Sequence, residues 1–439
     1  MESYFNDIAR VIDAALIAGE RHASWFSAED SDFVRMNRGK VRQPGTVSQR
    51  FIEIRLITGA RHASNALTLS GALEADARAI NAAIASLRNA LPQLADDPHL
   101  LLPTTIASSR SARGTTLPSC EAIVAKMLDA AAGLDLVGLA AAGPVYRGFA
   151  NSEGQRNWHV VSTFNLQWSL YHRADKAVKA SYSDVEWSDE AFGERMRSSI
   201  EQLRLISMPP KSLQPGRYRA YLSPAAMHEI VELLAYGAFS ARSLETQQSA
   251  LSRMRADARL DSHVQIVEDF ASGVAPPFQA EGFARPASVP LVSNGQLAGA
   301  LVSPRTAREF GLDANGANGA ESPEALSIGG GTIAARDALR ALDTGLAVGN
   351  LWYLNYSDRP ACRMTGMTRF ATFWVERGAV VGPANVLRFD DTLYRMLGDN
   401  LEALTAEREL LLSSSTYGAR MLTSATLPGA LVSEMNFTL

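Results

Sequence analysis

The chain has 439 residues, with 42 Lys plus Arg against 46 Asp plus Glu, a net charge of -4 and 46% hydrophobic residues. That length holds two or three domains with cores that need no disulfides, and the near balance of charge leaves no footprint for nucleic acid or an anionic membrane surface. The two cysteines, Cys120 and Cys362, lie far apart and outside any CxxC or CxxH pair, which removes local support for a thiolate zinc site and points to a reduced, cytoplasmic protein.

At the start, Asp7 and Asp13 interrupt the stretch where a signal peptide needs an unbroken apolar core, and no run approaches the roughly 18 apolar residues of a spanning helix. Phe5, Ile8, Ala9, Ile12, Ala15 and Leu16 instead form the stripe of an amphipathic helix that ends near Gly19. Strands are predicted over Trp25 to Val34 and Ser48 to Thr58, separated by the basic MNRGKVRQPG, with a third around Ala63 to Leu69. The Ala-rich GALEADARAINAAIASLRNAL then reads as helix. A long loop or linker is expected between Pro92 and Pro118, a helix over Cys120 to Gly133, strands at Leu136 to Phe149 and Asn157 to His172, and a helix from Asp189 to Met208.

The exit MPPKSLQPGRYRAYLSP loses all periodicity, which places the main boundary near residue 212. The fold class is therefore α+β: residues 1-212 form an N-terminal domain of helices and antiparallel sheet, and 213-439 a β-rich C-terminal domain. The second half opens with a short strand, Tyr218 to Leu222, and a helix whose N-cap and first turn are Ser223 and Pro224. Asn294-Gly295 between two apolar runs signals a hairpin. Later elements are a helix at Ala334 to Leu342 and strands at Leu346 to Tyr356, Phe370 to Glu376 and Val380 to Leu387.

The chemistry concentrates in SPAAMHEIVELLAYGAFSARS. His228 is followed by Glu229, and the fourth position after His228 is Glu232. In a His-Glu-x-x-His helix, residues four apart share one face, so two imidazoles reach one zinc while the glutamate activates water. Here only His228 and Glu232 can serve as such a pair, one nitrogen and one oxygen ligand, with Glu229 as base. The simpler account makes all three the wet face of a helix that buries Ala226, Ile230, Leu233, Leu234 and Phe239. Two further features stand out. IGGGTIAARDAL carries glycines before a helix but lacks the Lys-Ser/Thr of a P-loop, so a turn is expected there. Trp352 and Trp374, with Arg363 and Arg369, are candidates for a peptide-binding or subunit-contact wall, although strand packing also accounts for the tryptophans.

The layout of MHEIVELLAYGAFSAR resembles the segment that bears the HExxxH motif of the TldD/PmbA family of metallopeptidases, with His228 and Glu229 on its first two residues. PLVSNGQLAGALVSPRTAREFGL is similar to the family's hairpin and Ala-Arg-x-x-Gly segment. The stretch from GLAVGNLW to DDTLYRML is similar to its C-terminal β-region. Asn350 to Trp352, Thr365-Gly366 and Phe373 to Gly378 match the TldE (PmbA) branch most closely.

The resemblance implies a role as well as a fold. The TldD branch uses the second histidine of HExxxH and a C-terminal cysteine as zinc ligands. This chain has Leu233 at the first place and Ser413, Ser414, Ser415 and Thr416 near the second. Losing two of three ligands removes most of a binding free energy on the order of 10 kcal/mol. The expected role is thus a TldE-like subunit without zinc of its own, paired with a zinc-bearing TldD-type metallopeptidase subunit and acting on peptides. A homodimer is the possible form when that partner is absent. The alternatives are an active metallopeptidase using His228, Glu232 and Glu229, and a non-enzymatic scaffold that holds peptide by strand addition.

Overall fold

The structure, a computed structural model, describes residues 1-114, 116-173 and 176-438. Helix α1 (Glu2–Ala15) buries Phe5, Ile8, Ala9 and Ile12, the predicted stripe. The basic segment expected to separate the first two strands is itself strand. β1 (Glu20–Asn37) and β2 (Lys40–Thr58) stay paired from Glu20 opposite Thr58 to Asn37 opposite Lys40. Only Arg38 and Gly39 turn the chain, with φ of 53° and 64°, the left-handed pair that a two-residue hairpin turn requires. Pro44 is tolerated because β3 (Arg61–Leu69) pairs with β2 only from Arg50 onward, so the edge beside Pro44 is free.

After α2 (Leu73–Ala90), the expected 92-118 loop contains a short strand, β4 (Ser109–Arg113). Next come α3 (Cys120–Ala130), β5 (Asp135–Asn151), β6 (Arg156–Arg173), β7 (Lys176–Asp184) and α4 (Asp189–Ile206). The first sheet runs β3-β2-β1-β5-β6, and β4 and β7 share the outer edge of β6. β4 is parallel to Asn157–Val161, and β7 antiparallel to Phe164–Arg173. Helices cover one face only. On β6, Phe164, Leu166, Trp168 and Leu170 join the core beneath the helices. The alternate residues, Thr163, Asn165 and Gln167, take the other face, toward the second domain.

The second sheet begins with β8 (Gly216–Leu222), followed by α5 (Pro224–Ala235) and α6 (Ala241–Glu245). β9 (Ile266–Glu268), β10 (Val289–Ser293) and β11 (Gln296–Leu297) follow, with the predicted Asn294-Gly295 turn joining the last two. Then come α7 (Pro304–Phe310), β12 (Ala325–Ile328) and α8 (Ala338–Leu342). A long hairpin, β13 (Gly345–Asp358) and β14 (Arg363–Glu376), precedes β15 (Ala379–Pro383), β16 (Arg388–Thr392), β17 (Leu401–Leu412) and β18 (Ser424–Phe437). The strand expected over Val380 to Leu387 therefore stops at Pro383 and restarts at Arg388. β14 reaches back seven residues before Phe370. β18 is the spine of this sheet, pairing with β8, β12, β16 and β17.

The two sheets meet through small apolar contacts. Val145 and Val161 of the first pack on Val274, Leu412 and Leu422 of the second, and Phe149 on Phe278. Gly282 lies so close that a Cβ there would stand 2.5 Å from the Phe149 ring.

Candidate functional site

Helix α5 is set by its first residue. The Ser223 hydroxyl accepts from the Ala226 amide at 3.2 Å and donates to the Gly349 carbonyl at 2.7 Å, while its own amide donates to Val348 O at 3.1 Å. The cap thus ties the helix to β13. Ala226, Met227, Ile230, Val231, Leu233 and Leu234 are buried, which leaves His228, Glu229 and Glu232 on the other side, toward β6 and β7.

Those three residues line a cavity of about 90 Å³, which also takes in Lys179 of β7, Gln167 of β6 and Asn350 of β13. His228 Nδ1 stands 4.0 Å from a Glu232 oxygen, too far for a hydrogen bond. Burial depresses the His228 pKa and the Lys179 charge adds to that, against the opposing pull of Glu232. The imidazole is therefore neutral near pH 7. Burial, then repulsion from Glu232, pushes the Glu229 carboxyl upward, with Lys179 opposing. Asn350 is only 8% exposed, yet its side-chain amide makes no hydrogen bond among the described residues.

The serine-rich segment reaches this cavity through Ser414. Its approach is fixed by Asn165 Nδ2, which donates to Ser413 O at 3.0 Å, and by Ser183, whose hydroxyl donates to Leu410 O and accepts from Leu412 N. Arg420 then anchors the following loop to the first sheet, donating to Thr163 O and Gly143 O at 2.9 Å each. The donor set does not fit zinc. Leu233 is buried in the core and has no lone pair, Ser414 contributes a neutral hydroxyl rather than a thiolate, imidazole or carboxylate, and the Lys179 cation faces the carboxylates. Among the described residues no group of three His, Cys, Asp or Glu side chains is placed to hold a metal ion. Cys362 lies in the core, where burial pushes its thiol up to about 12.

The four residues singled out as a wall are not all together. The Arg369 guanidinium lies 4.2 Å from the centre of the Trp352 ring. Trp352 in turn lies 5.2 Å from Tyr353, which is 77% exposed. Phe370 lies beneath Arg369 at 5.2 Å and Lys179 at 5.9 Å, so this patch is continuous with the α5 cavity. Tyr353 and Phe370 both have left-handed φ, 59° and 55°, at irregularities in the hairpin. Trp374 stands apart, packed edge-on against Tyr218 at 5.8 Å, and Arg363 pairs with Asp390 at 3.2 Å.

From the cavity a cleft runs on across the first sheet. Gln167 and Lys179 also line the next depression, and Leu139 and Arg35 the one beyond, which ends at Phe33, Thr416 and Gly418. A larger cavity of about 700 Å³, between β1 and residues 97-106, holds none of the residues singled out from the sequence. Sequence reasoning missed Lys179, Gln167 and Asn350 as site residues. The polar phase Thr163, Asn165, Gln167 within an otherwise apolar strand is the signal that marks the cleft face. The triple glycine is a close approach of backbones: Gly331 donates to Thr405 O at 2.8 Å.

A sequence model of the C-terminal domain of PmbA/TldA metallopeptidases matches residues 215-439. A comparison with curated proteins returns no match. Among solved structures, a protein from Thermotoga maritima named as a candidate modulator of a DNA gyrase superposes with a TM-score of 0.78 at 15% identity, over 99% of this chain and all of that one. TldE from Thermococcus kodakarensis gives 0.78 at 13% identity, over 99% and 100% of the two chains. A candidate modulator of DNA gyrase from Bacteroides thetaiotaomicron gives 0.77 at 15% identity, over 100% and 99%. At these identities the superpositions speak for the fold alone.

Proposed function

Because the chain belongs to the PmbA/TldD family of metallopeptidases, we propose that it is a TldE-like subunit of a cytoplasmic TldD/TldE-type peptidase, without zinc of its own, that contributes a peptide-binding cleft beside a zinc-bearing TldD-type partner. The observation that carries this reading is the α5 site. It keeps a cavity and a histidine-glutamate pair on a properly capped helix, while its second ligand position is an apolar core residue, Leu233. In a His-Glu-x-x-His site the glutamate acts on a metal-bound water, and here only His228 and Glu232 stand beside Glu229 as possible ligands. The cleft across the first sheet and the exposed Trp352–Arg369 stack give an extended peptide both polar and aromatic contacts.

Two measurements test it together. Metal analysis of the purified chain is expected to find well under one zinc per protomer. Reconstitution with a TldD-type subunit is expected to give peptidase activity that the partner's glutamate change abolishes and that Glu229→Gln leaves within a few-fold in kcat. Stoichiometric zinc that is lost in His228→Ala, or a loss of about a hundredfold in kcat from Glu229→Gln in an intact complex, would place catalysis in this subunit instead.

A further inference from the structure

The α5 cavity holds more hydrogen-bonding capacity than the protein itself uses. Asn350 is 8% exposed, and its side-chain amide, which keeps contact with solvent in the cavity, makes no hydrogen bond within the protein among the described residues. The hydrogen bond it lacks is available to a guest in the cavity it lines. The charges around that space are unequal. Two carboxyl groups, Glu229 and Glu232, face a single cation, Lys179; burial and Glu232 push the Glu229 carboxyl upward, a shift that a neighbouring ammonium would oppose. An anionic guest meets two carboxylates, whereas a cationic one restores balance.

Size and valence narrow the choice. A volume of about 90 Å³ holds several water molecules, since about 10 to 15 Å³ by this measure is enough for one, and so has room for a small head group and its first carbons. A primary ammonium has three donors, and the wall offers acceptors in the Glu229 carboxylate, the Glu232 carboxylate and Asn350 Oδ1. It needs neither a second histidine nor a thiolate. The mouth opens beside Gln167 and Lys179 into the cleft over the first sheet, where the rest of a chain would lie.

We propose that the cavity between α5 and β7 binds a primary ammonium group of an extended peptide, either its free amino terminus or a lysine side chain, through Glu229, Glu232 and Asn350. This rests on the peptide-binding reading above.

The test uses the purified chain, with chelator throughout, and a neutral ten-residue peptide labelled at its C-terminus for fluorescence anisotropy. Three forms are compared: free amino terminus without lysine, N-acetylated without lysine, and N-acetylated with one lysine. The doubly blocked form is expected to bind about tenfold more weakly than at least one of the others, and which one recovers affinity identifies the source of the ammonium. Glu229→Gln, which keeps the side-chain shape, and Asn350→Ala are each expected to shrink that gap to about twofold, with affinity for the blocked form unchanged and thermal melts near wild type. Glu232→Gln, at an exposed position, repeats the test should either of the first two fail to fold. Equal affinity for all three forms would overturn the ammonium site and leave the peptide cleft standing. Absence of binding by every form would overturn both. A preference that appears only when chelator is omitted would mean a metal bridges the contact, and would overturn the proposal.

Discussion

Glu268 offers a titration whose sign and size follow from its surroundings. It ends β9 at 1% exposure. One carboxyl oxygen accepts from the amides of Glu324 at 2.6 Å and Ala325 at 2.9 Å, and the other has no partner. Burial pushes its pKa up from 4.5 to about 7, the largest influence, while the two amides pull it down. The folded state thus holds this proton more tightly than the unfolded chain does. The resulting stabilisation is complete below about pH 4.5 and is lost as pH rises through about 7. At about 1.4 kcal/mol per unit, the separation corresponds to roughly 3 kcal/mol, of which about 2 to 3 kcal/mol should disappear between pH 5 and 8. Glu268→Gln keeps an acceptor for both amides and removes the titration. Its new amide nitrogen, if unpartnered, costs the same at every pH and shifts the curve without tilting it. Urea unfolding of both proteins at pH 5, 6, 7 and 8, at fixed ionic strength, is expected to give stabilities that converge or cross as pH rises, because only the wild type carries this slope. Parallel curves within about 0.5 kcal/mol would refute the assignment.

Ser223→Ala removes both the helix cap and the bond to Gly349, so about 1 to 2 kcal/mol should be lost in urea unfolding; a change under about 0.3 kcal/mol would mean the cap does not hold α5. Gly282→Ala puts a methyl group against Phe149 at a φ of +91° and is expected to cost about 2 kcal/mol or more, measured in the same way, with a neutral result ruling out the tight seam. The preference for a free amino terminus over its acetylated form should fade above about pH 8, as an α-amine with an ordinary pKa of about 7.7 to 8.0 loses its charge, whereas one due to lysine should persist to about pH 10. Anisotropy titrations at pH 7, 8.5 and 9.5 distinguish the two, and a free-amino-terminus preference that stays constant to pH 9.5 would count against an ammonium guest at that terminus.

Local patterns revealed elements whose burial is one-sided. The stripe of Phe5, Ile8 and Ile12, the alternation on β6 and the Ser223-Pro224 helix start are all set by nearby residues, so each was readable in order. Strands of a different kind were not. β4 is five residues long and largely exposed, and it exists because β6 offers it a parallel edge. β18 is defined by pairing with β17 and with β8, the latter more than two hundred residues away, a relation that no short window contains. The same limit applies to the site. His228 and Glu229 stood out because a helix motif is local, as did the apolar Leu233. Lys179 and Asn350 became site residues only when two sheets brought β7 and β13 to the same cavity. The pairing of Arg369 with Trp352, and the separation of Trp374 from both, follow from strand register.

The central position of β18 sets a timetable for the C-terminal sheet. Arg217 on β8 meets Glu434 on β18 across 217 positions of chain. At about 5 to 20 residues per second on the ribosome, β8 waits roughly 10 to 40 seconds for the strand that covers its edge. For that interval α5, with its six buried apolar residues, has no completed sheet to pack on. The nascent second domain therefore passes through a period of exposed edge and helix face, while the first sheet, whose strands all precede residue 185, can already be closed. Slowing or interrupting synthesis between β16 and β18 should yield chains with a folded first half and an aggregation-prone second, the state for which a holding chaperone would be most needed.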